Sequence, residues 1–273
     1  VKPEDIIVTN GAKSAIFNAL AATLEVGDEV LIPAPYWVSY PDMVLACDGR
    51  PVVITCQEEA GFRLTAEQLR ASITSRCRWL ILNSPSNPSG ASYSRAELRA
   101  LADVLLDYPH LAIMTDDIYE HLRYDDSPNV HLLEVEPRLA DRTLVVNGVS
   151  KTYAMTGWRI GYAAGPKALI AAMATLQSQS TSNASSVSQA AALAALNSGT
   201  ELISHSREIY RPRRDALAAA LNAIPRPHCQ LPDGALHPYV NCAGPLGNTT
   251  AGGPVLEHDP EHALWPLARP PGP

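Results

Sequence analysis

The sequence has little that would tie it to nucleic acid, membrane or metal. Only 18% of its 273 residues are charged, and 21 Lys and Arg are outnumbered by 28 Asp and Glu. The basic patch or stripe of a nucleic-acid binder is therefore missing. Its five cysteines (Cys47, Cys56, Cys77, Cys229 and Cys242) are odd in number and include no C-x-x-C pair. That speaks against a zinc ribbon and a disulfide framework, and it points to a reducing compartment, the cytoplasm. The eight histidines are scattered without a ligand spacing, so no metal is expected. No charged segment followed by an apolar run opens the chain, which leaves no sign of a signal peptide. The longest uncharged run, 168–200, is rich in Ser, Gln, Asn and Thr and is too polar to span a bilayer.

What the sequence does have is apolar material, 46% of its residues, enough for a sizeable core. Short apolar runs alternate with helical patterns. Strands are expected at 5–9, 29–33, 51–55, 79–83, 112–116 and 143–147, with helices near 12–24, 40–47 and 94–106. Thr65 opens a further helix, with Gln68 at capping-box spacing. Strands of this length separated by helices imply an α/β fold with a mainly parallel sheet covered on both faces. In such sheets ligands bind at the carboxyl ends of the strands. Two Ala-rich helices are expected within 168–197, broken at 178–186, then a helix over 201–221 that Pro212 should kink or break. Arg207, Arg211, Arg213 and Arg214 read as a solvated face of that helix. Eleven of the 23 prolines fall in the last 49 residues, marking a change of composition and an irregular tail. The chain starts at Val1, directly before a strand-like run, as an excerpt of a longer protein would.

Four segments carry candidate chemistry. Gly11-Ala12-Lys13 opens a helix straight after a strand, where backbone N–H groups can hold a phosphate or carboxylate; an ordinary helix start fits equally. It is not a P-loop, because the glycines that motif needs are replaced by Ala12 and Ile7. The turn N-S-P-S-N-P-S-G at 83–90 is held stiff by its prolines and presents the Asn87 amide at the ligand edge. Asp116 ends the apolar run A-I-M-T, where an unpaired carboxylate is expensive and calls for a cationic partner. The segment S-K-T-Y-A-M-T-G-W-R-I-G at 150–161 puts Lys151 eight residues before Arg159. Small and apolar neighbours help a lysine lose its proton, as nucleophilic lysines require, and a nearby arginine can hold a phosphate.

The sequence resembles the fold-type-I pyridoxal-phosphate enzymes, and within them the class I aminotransferases of the bacterial aspartate/prephenate branch. The resemblance rests on N-G-A-K-S-A-I at 10–16, P-Y-W-V-S-Y-P at 35–41, N-S-P-S-N-P-S-G at 83–90, T-D-D-I-Y-E at 115–120 and V-N-G-V-S-K-T-Y-A-M-T-G-W-R-I-G-Y at 146–162. It implies a three-layer α/β/α large domain over 1–205, then a linking helix and part of a small α+β domain over 206–273. It also implies pyridoxal 5'-phosphate as cofactor, with transamination between an L-amino acid such as aspartate or glutamate and a 2-oxo acid such as 2-oxoglutarate or prephenate.

Carried over residue by residue, Lys151 would bind the cofactor aldehyde covalently. Asp116 would keep the ring nitrogen protonated, and Tyr119 and Asn87 would bond the ring's phenolic oxygen. Trp37 would stack on the ring, while Asn87 and Trp37 would also border the substrate. Arg159 and the backbone of Gly11, Ala12 and Lys13 would hold the phosphate. The resemblance further implies a homodimer, with 179–183 near the neighbouring subunit's site. Members of the family are longer at both ends, and the arginine that clamps the substrate α-carboxylate is not in this sequence. They usually read Gly-Ala-Phe-Tyr where this chain has Gly234-Ala235-Leu236-His237-Pro238. A remnant that keeps the cofactor core without turnover, and a β-lyase or decarboxylase on the same scaffold, are the alternatives.

Overall fold

The computed structural model describes residues 1–125, 129–225 and 227–243. The alternation is realised as β1 (Ile6–Thr9), α1 (Ala12–Thr23), β2 (Glu29–Ala34), α2 (Ser39–Ala46), β3 (Arg50–Thr55), α3 (Ala66–Ser72), β4 (Cys77–Asn83) and α4 (Arg95–Leu106). There follow β5 (Ala112–Asp116), α5 (Leu132–Val135), β6 (Thr143–Gly148), β7 (Gly161–Ala164), α6 (Lys167–Ser180), α7 (Ser186–Leu196) and α8 (Glu201–Asn222). Two short strands, β8 (His228–Cys229) and β9 (Val240–Asn241), pair antiparallel and pack near α8. Helix starts obey their caps. The Thr65 hydroxyl accepts from the Gln68 N–H while the Gln68 side chain accepts from the Thr65 N–H, and Ser94 with Glu97 does the same for α4.

Seven strands form one sheet in the order β1-β7-β6-β5-β4-β2-β3. Pairing is parallel from β6 through β5, β4 and β2 to β3, and β7 alone runs against its neighbours. The sequence pattern had not marked β7. With no crossover helix between Gly148 and Gly161, a return strand can only pair antiparallel.

Alternate residues of the parallel strands face opposite layers. Val30, Ile32, Trp79, Ile81 and Met114 pack with α1, α2 and α6. Leu31, Leu80, Leu82 and Ile113 pack with α3, α4 and Leu132 of α5. The result is the expected three-layer α/β/α arrangement, with the carboxyl ends of β2, β4, β5 and β6 opening along one edge. Among the described residues no helix is long and apolar enough to cross a membrane.

Two expectations about α8 are corrected. Pro212 does not break it, and the helix is continuous from Glu201 to Asn222. Nor are its arginines simply a solvated face. Arg207 donates to the carbonyls of Arg123 and Asp125, both at 2.7 Å. Arg214 donates to the Pro232 carbonyl at 3.0 Å and lies 4.8 Å over the Tyr124 ring. These contacts hold the helix to the body of the protein on both sides of Pro212, offsetting the ~3 kcal/mol an interior proline costs. The proline-rich stretch after Ile224 is not wholly irregular, since it holds β8 and β9, and its residues 226 and 244–273 lie outside the described residues.

Candidate active site

Asp116 closes β5 and is 4% exposed. Its Oδ2 accepts from the Tyr40 hydroxyl at 2.7 Å, and its Oδ1 accepts from the Ile118 N–H at 3.4 Å. Burial pushes its carboxyl up to about 6, against the pull of the Tyr40 hydrogen bond. The cation that a buried carboxylate calls for is not bonded to it, for Lys151 acts on it only through its charge. Tyr40 stands in the first turn of α2, three residues after Trp37, and its ring meets that of Trp37 edge-on at 5.4 Å.

β6 delivers Lys151 to the same space, where its Nζ lies 5.7 Å from the centre of the Tyr119 ring. The Tyr119 hydroxyl is pushed up to about 12 by burial and then by the Asp116 charge, opposed by a hydrogen bond with the Asn87 side chain. The Asn87 turn is itself fixed to the sheet. Its backbone N–H donates to Asn83 Oδ1 at 2.7 Å, and Asn83 Nδ2 donates to the Asp116 carbonyl at 2.7 Å.

At the other end of the space lies a cluster of cations and N–H donors. Gly11 caps α1 with φ 90, and a Cβ there would run into the Arg159 guanidinium. Only glycine allows that approach. Arg159 has φ 54 and donates to the Thr156 carbonyl at 2.9 Å and the Asn10 carbonyl at 3.4 Å. Among the described residues it pairs with no carboxylate. Lys13 donates to Ser39 Oγ at 3.1 Å and sits 4.7 Å over the Trp37 ring. A helix N-terminus, a guanidinium and an ammonium together suit a phosphate.

These groups border one cavity of about 210 Å³. It is lined by Ala12, Lys13, Trp37, Asn87, Asp116, Tyr119, Lys151 and Arg159, and Gly11 is buried directly behind Ala12. Eight of the nine residues singled out in the sequence thus line the cavity, and Gly11 stands against the Arg159 guanidinium at its edge. The donor set fits pyridoxal phosphate from end to end: a buried acid lacking a bonded cation, a phenol and an amide, a lysine amine, and an anion cradle. Among the described residues no group of three or more His, Cys, Asp or Glu is placed to hold a metal ion.

Sequence reasoning missed Tyr40, although it stood inside the quoted P-Y-W-V-S-Y-P segment. Its signal was its place one helical turn after Trp37, which turns both rings to one side. His237 was seen only as a departure from the family pattern. Its ring stands edge-on to Tyr119 at 6.3 Å, and its Nδ1 is buried with no hydrogen-bond partner among the described residues. Burial, and then the Lys151 charge, lower its basicity.

The family model for aminotransferase class I and II matches residues 1–261. An aspartate aminotransferase of Rhizobium meliloti (strain 1021) is 52% identical over 264 residues, 97% of this chain and 64% of the relative. An aspartate/prephenate aminotransferase of Cereibacter sphaeroides is 53% identical over 94% of this chain and 64% of its own length. The crystal structure of the Rhizobium meliloti aspartate aminotransferase superposes with a TM-score of 0.91 at 52% identity, covering 94% of this chain and 64% of that one. The chain therefore spans just under two thirds of the length of these relatives.

Proposed function

The chain belongs to the family of class I and II aminotransferases, and from that premise we propose that its cavity holds pyridoxal 5'-phosphate and serves transamination between an acidic L-amino acid and a 2-oxo acid. The observation that carries this reading is the convergence of Lys151, Asp116, Tyr119, Asn87 and Arg159 on one cavity. The names of the two relatives support aspartate as donor and, for one of them, prephenate as acceptor.

When bound, the cofactor supplies a protonated ring that withdraws electrons from the substrate Cα. The chain's own residues do the rest. Arg159, Lys13 and the N–H groups at the start of α1 hold the phosphate. Asp116 keeps the proton on the ring nitrogen, gaining the cation its buried carboxylate lacks. Tyr119 and Asn87 donate to the ring oxygen, and Trp37 walls the substrate side. The Lys151 amine anchors the cofactor covalently at rest. As a free amine it would take the proton from the substrate Cα as general base and deliver it, as general acid, to the cofactor carbon. Two half-reactions of this kind give ping-pong kinetics. In this reading residues 1–205 form the cofactor-binding unit and 206–273 begin a smaller one. The protein works in the cytoplasm, in amino-acid biosynthesis. Exposed Val187 (69%) and Leu193 (62%) on α7 support a homodimer.

The test is the visible spectrum of the protein with pyridoxal phosphate, before and after L-aspartate, followed by borohydride trapping and peptide mapping. The sequence has only four lysines (Lys2, Lys13, Lys151 and Lys167), so the label is easily assigned. A band that vanishes with aspartate and returns with 2-oxoglutarate, with the label on Lys151, is the expected result. A band that ignores aspartate would leave a cofactor core without turnover. A label elsewhere would overturn the site.

A further inference from the structure

Behind the cavity wall lies a second set of charges that the proposed reaction does not use. His131 Nδ1 is 3.1 Å from Asp117 Oδ2, and its Nε2 is 3.1 Å from Glu120 Oε2. Glu120 Oε1 accepts from Asn147 Nδ2 at 2.5 Å, and Asn147 Oδ1 accepts from the Gly148 N–H at 2.7 Å. Asp117 directly follows Asp116, and Gly148 stands three residues before Lys151. The imidazole therefore clamps Asp117 and Glu120, both just after β5, and Glu120 in turn ties them to Asn147 near the end of β6, which leads to Lys151.

Both ring nitrogens face carboxylate oxygens, so both must carry a proton. Those two hydrogen bonds push the His131 imidazolium up to about 10. The other groups around it are accounted for. Thr115 Oγ1 is 3.4 Å from Asp117 Oδ2, and His121 Nε2 is 3.4 Å from Glu120 Oε1. The Tyr153 and Tyr162 phenols feel the Glu120 charge, and Asp116 feels that of Asp117. Without the imidazolium, the Asp117 carboxylate beside Asp116 would lose its cation, while Glu120 would keep, among the described residues, only Asn147 and His121. That would hold a proton on Asp116 to higher pH, in the form that cannot pair with a ring cation.

We propose that His131 is a positioning residue: a cationic wedge between Asp117 and Glu120 that fixes Asp116 relative to Lys151 and keeps Asp116 ionised. This rests on the proposed function, since the wedge matters only if Asp116 and Lys151 act on one bound group.

The experiment measures pyridoxal phosphate affinity by absorbance from pH 5 to 9 for the wild-type chain, His131→Gln and the double variant Asp117→Asn/His131→Gln. The wild-type affinity should fall toward acid near pH 6, where Asp116 takes up its proton. His131→Gln should move that fall up by about one unit, weakening binding about twofold at pH 7 and about tenfold at pH 5. The double variant, which removes one carboxylate as well, should bring it back. A loss equal at every pH, or none, would overturn the wedge. If His131→Gln fails to fold by circular dichroism, the His131 ring signals in the wild-type NMR spectrum decide. Protonation persisting past pH 9 supports the wedge, and a neutral ring at pH 8 overturns it. A wild-type chain that forms no band at all would sink the functional reading itself, and this inference with it.

Discussion

Glu29 and Asp116 are buried carboxylates at opposite edges of one sheet, and their surroundings push them in opposite directions. Glu29 opens β2 and is fully buried. Arg50 and Arg76 pair with it, Thr74 Oγ1 donates to it at 2.6 Å, and the Cys77 thiol donates at 3.4 Å. The Thr74 hydrogen bond, helped by Arg50 and against burial, takes it down to about 2. Asp116 closes β5 with one phenol and one long N–H bond, and burial takes it up to about 6. Both are closed to solvent, but Glu29 lies just under the half-exposed Arg50 and Arg76 while Asp116 lies deeper. Depth and the number of charged partners together decide whether a carboxylate is satisfied within the chain or left open to a ligand.

The largest effect that separates them should be on the cofactor. Asp116→Asn is expected to weaken pyridoxal phosphate binding or turnover on the order of 10²-fold, as for loss of one preorganised charge at a reacting centre. Glu29→Gln should change neither by more than about twofold. Absorbance titration and initial rates read both. An Asp116→Asn protein that binds and turns over like the wild type would break the comparison at once.

Stability should show the reverse order. Glu29→Gln is expected to cost about 3 kcal/mol, the low end for breaking a buried pair, because Arg50 and Arg76 are half-exposed and water can take them back. That is a fall in Tm of roughly 6–12 °C for a chain of this size. Asp116→Asn should instead stabilise the cofactor-free chain by about 2 kcal/mol at pH 8. The signs follow from the shifts. Glu29 lies below its ordinary 4.5, so its contribution is present above that pH and is lost as pH falls through about 2. Asp116 lies above its ordinary 3.8, so its contribution is present below that pH and is lost as pH rises through about 6. Melts at pH 4 and pH 8 should therefore find Asp116→Asn neutral at the first and stabilising at the second, with Glu29→Gln destabilising at both.

The open edge was more legible in the sequence than the closed one. The groups that would touch a cofactor sit in short segments that the fold must keep whole, so Lys151 and Arg159, or Asn83 and Asn87, could be read together. Asp116 announced itself because a carboxylate ending A-I-M-T needs a partner. Glu29 gave no such signal. Its partners Arg50, Thr74 and Arg76 are 21 to 47 residues away, and only the pairing of β2 with β3 and β4 brings them together. The His131 wedge was hidden for the same reason, since only the fold of the chain after β5 brings His131 between Asp117 and Glu120. Pro212 shows the converse, a strong local signal overridden by the contacts of Arg207 and Arg214.

The smallest and most diagnostic change is Tyr40→Phe. The phenylalanine keeps the edge-on ring against Trp37, whose contact with Tyr40 is 5.4 Å between ring centres, and removes only the hydroxyl 2.7 Å from Asp116 Oδ2. Asp116 would be left with the Ile118 N–H at 3.4 Å as its remaining bond. A hydrogen bond to a charged group is worth about 1.5 kcal/mol or more, so Asp116 should rise by roughly one unit. Cofactor affinity should then drop about fivefold at pH 6 and match the wild type at pH 9, where Asp116 is ionised in both. A titration series across that range is the measurement. Recovery at high pH would show that Tyr40 works through the proton on Asp116, so that partner number as well as depth sets the difference between the two carboxylates. An equal loss at every pH would show that Tyr40 only shapes the wall, leaving burial alone to account for Asp116.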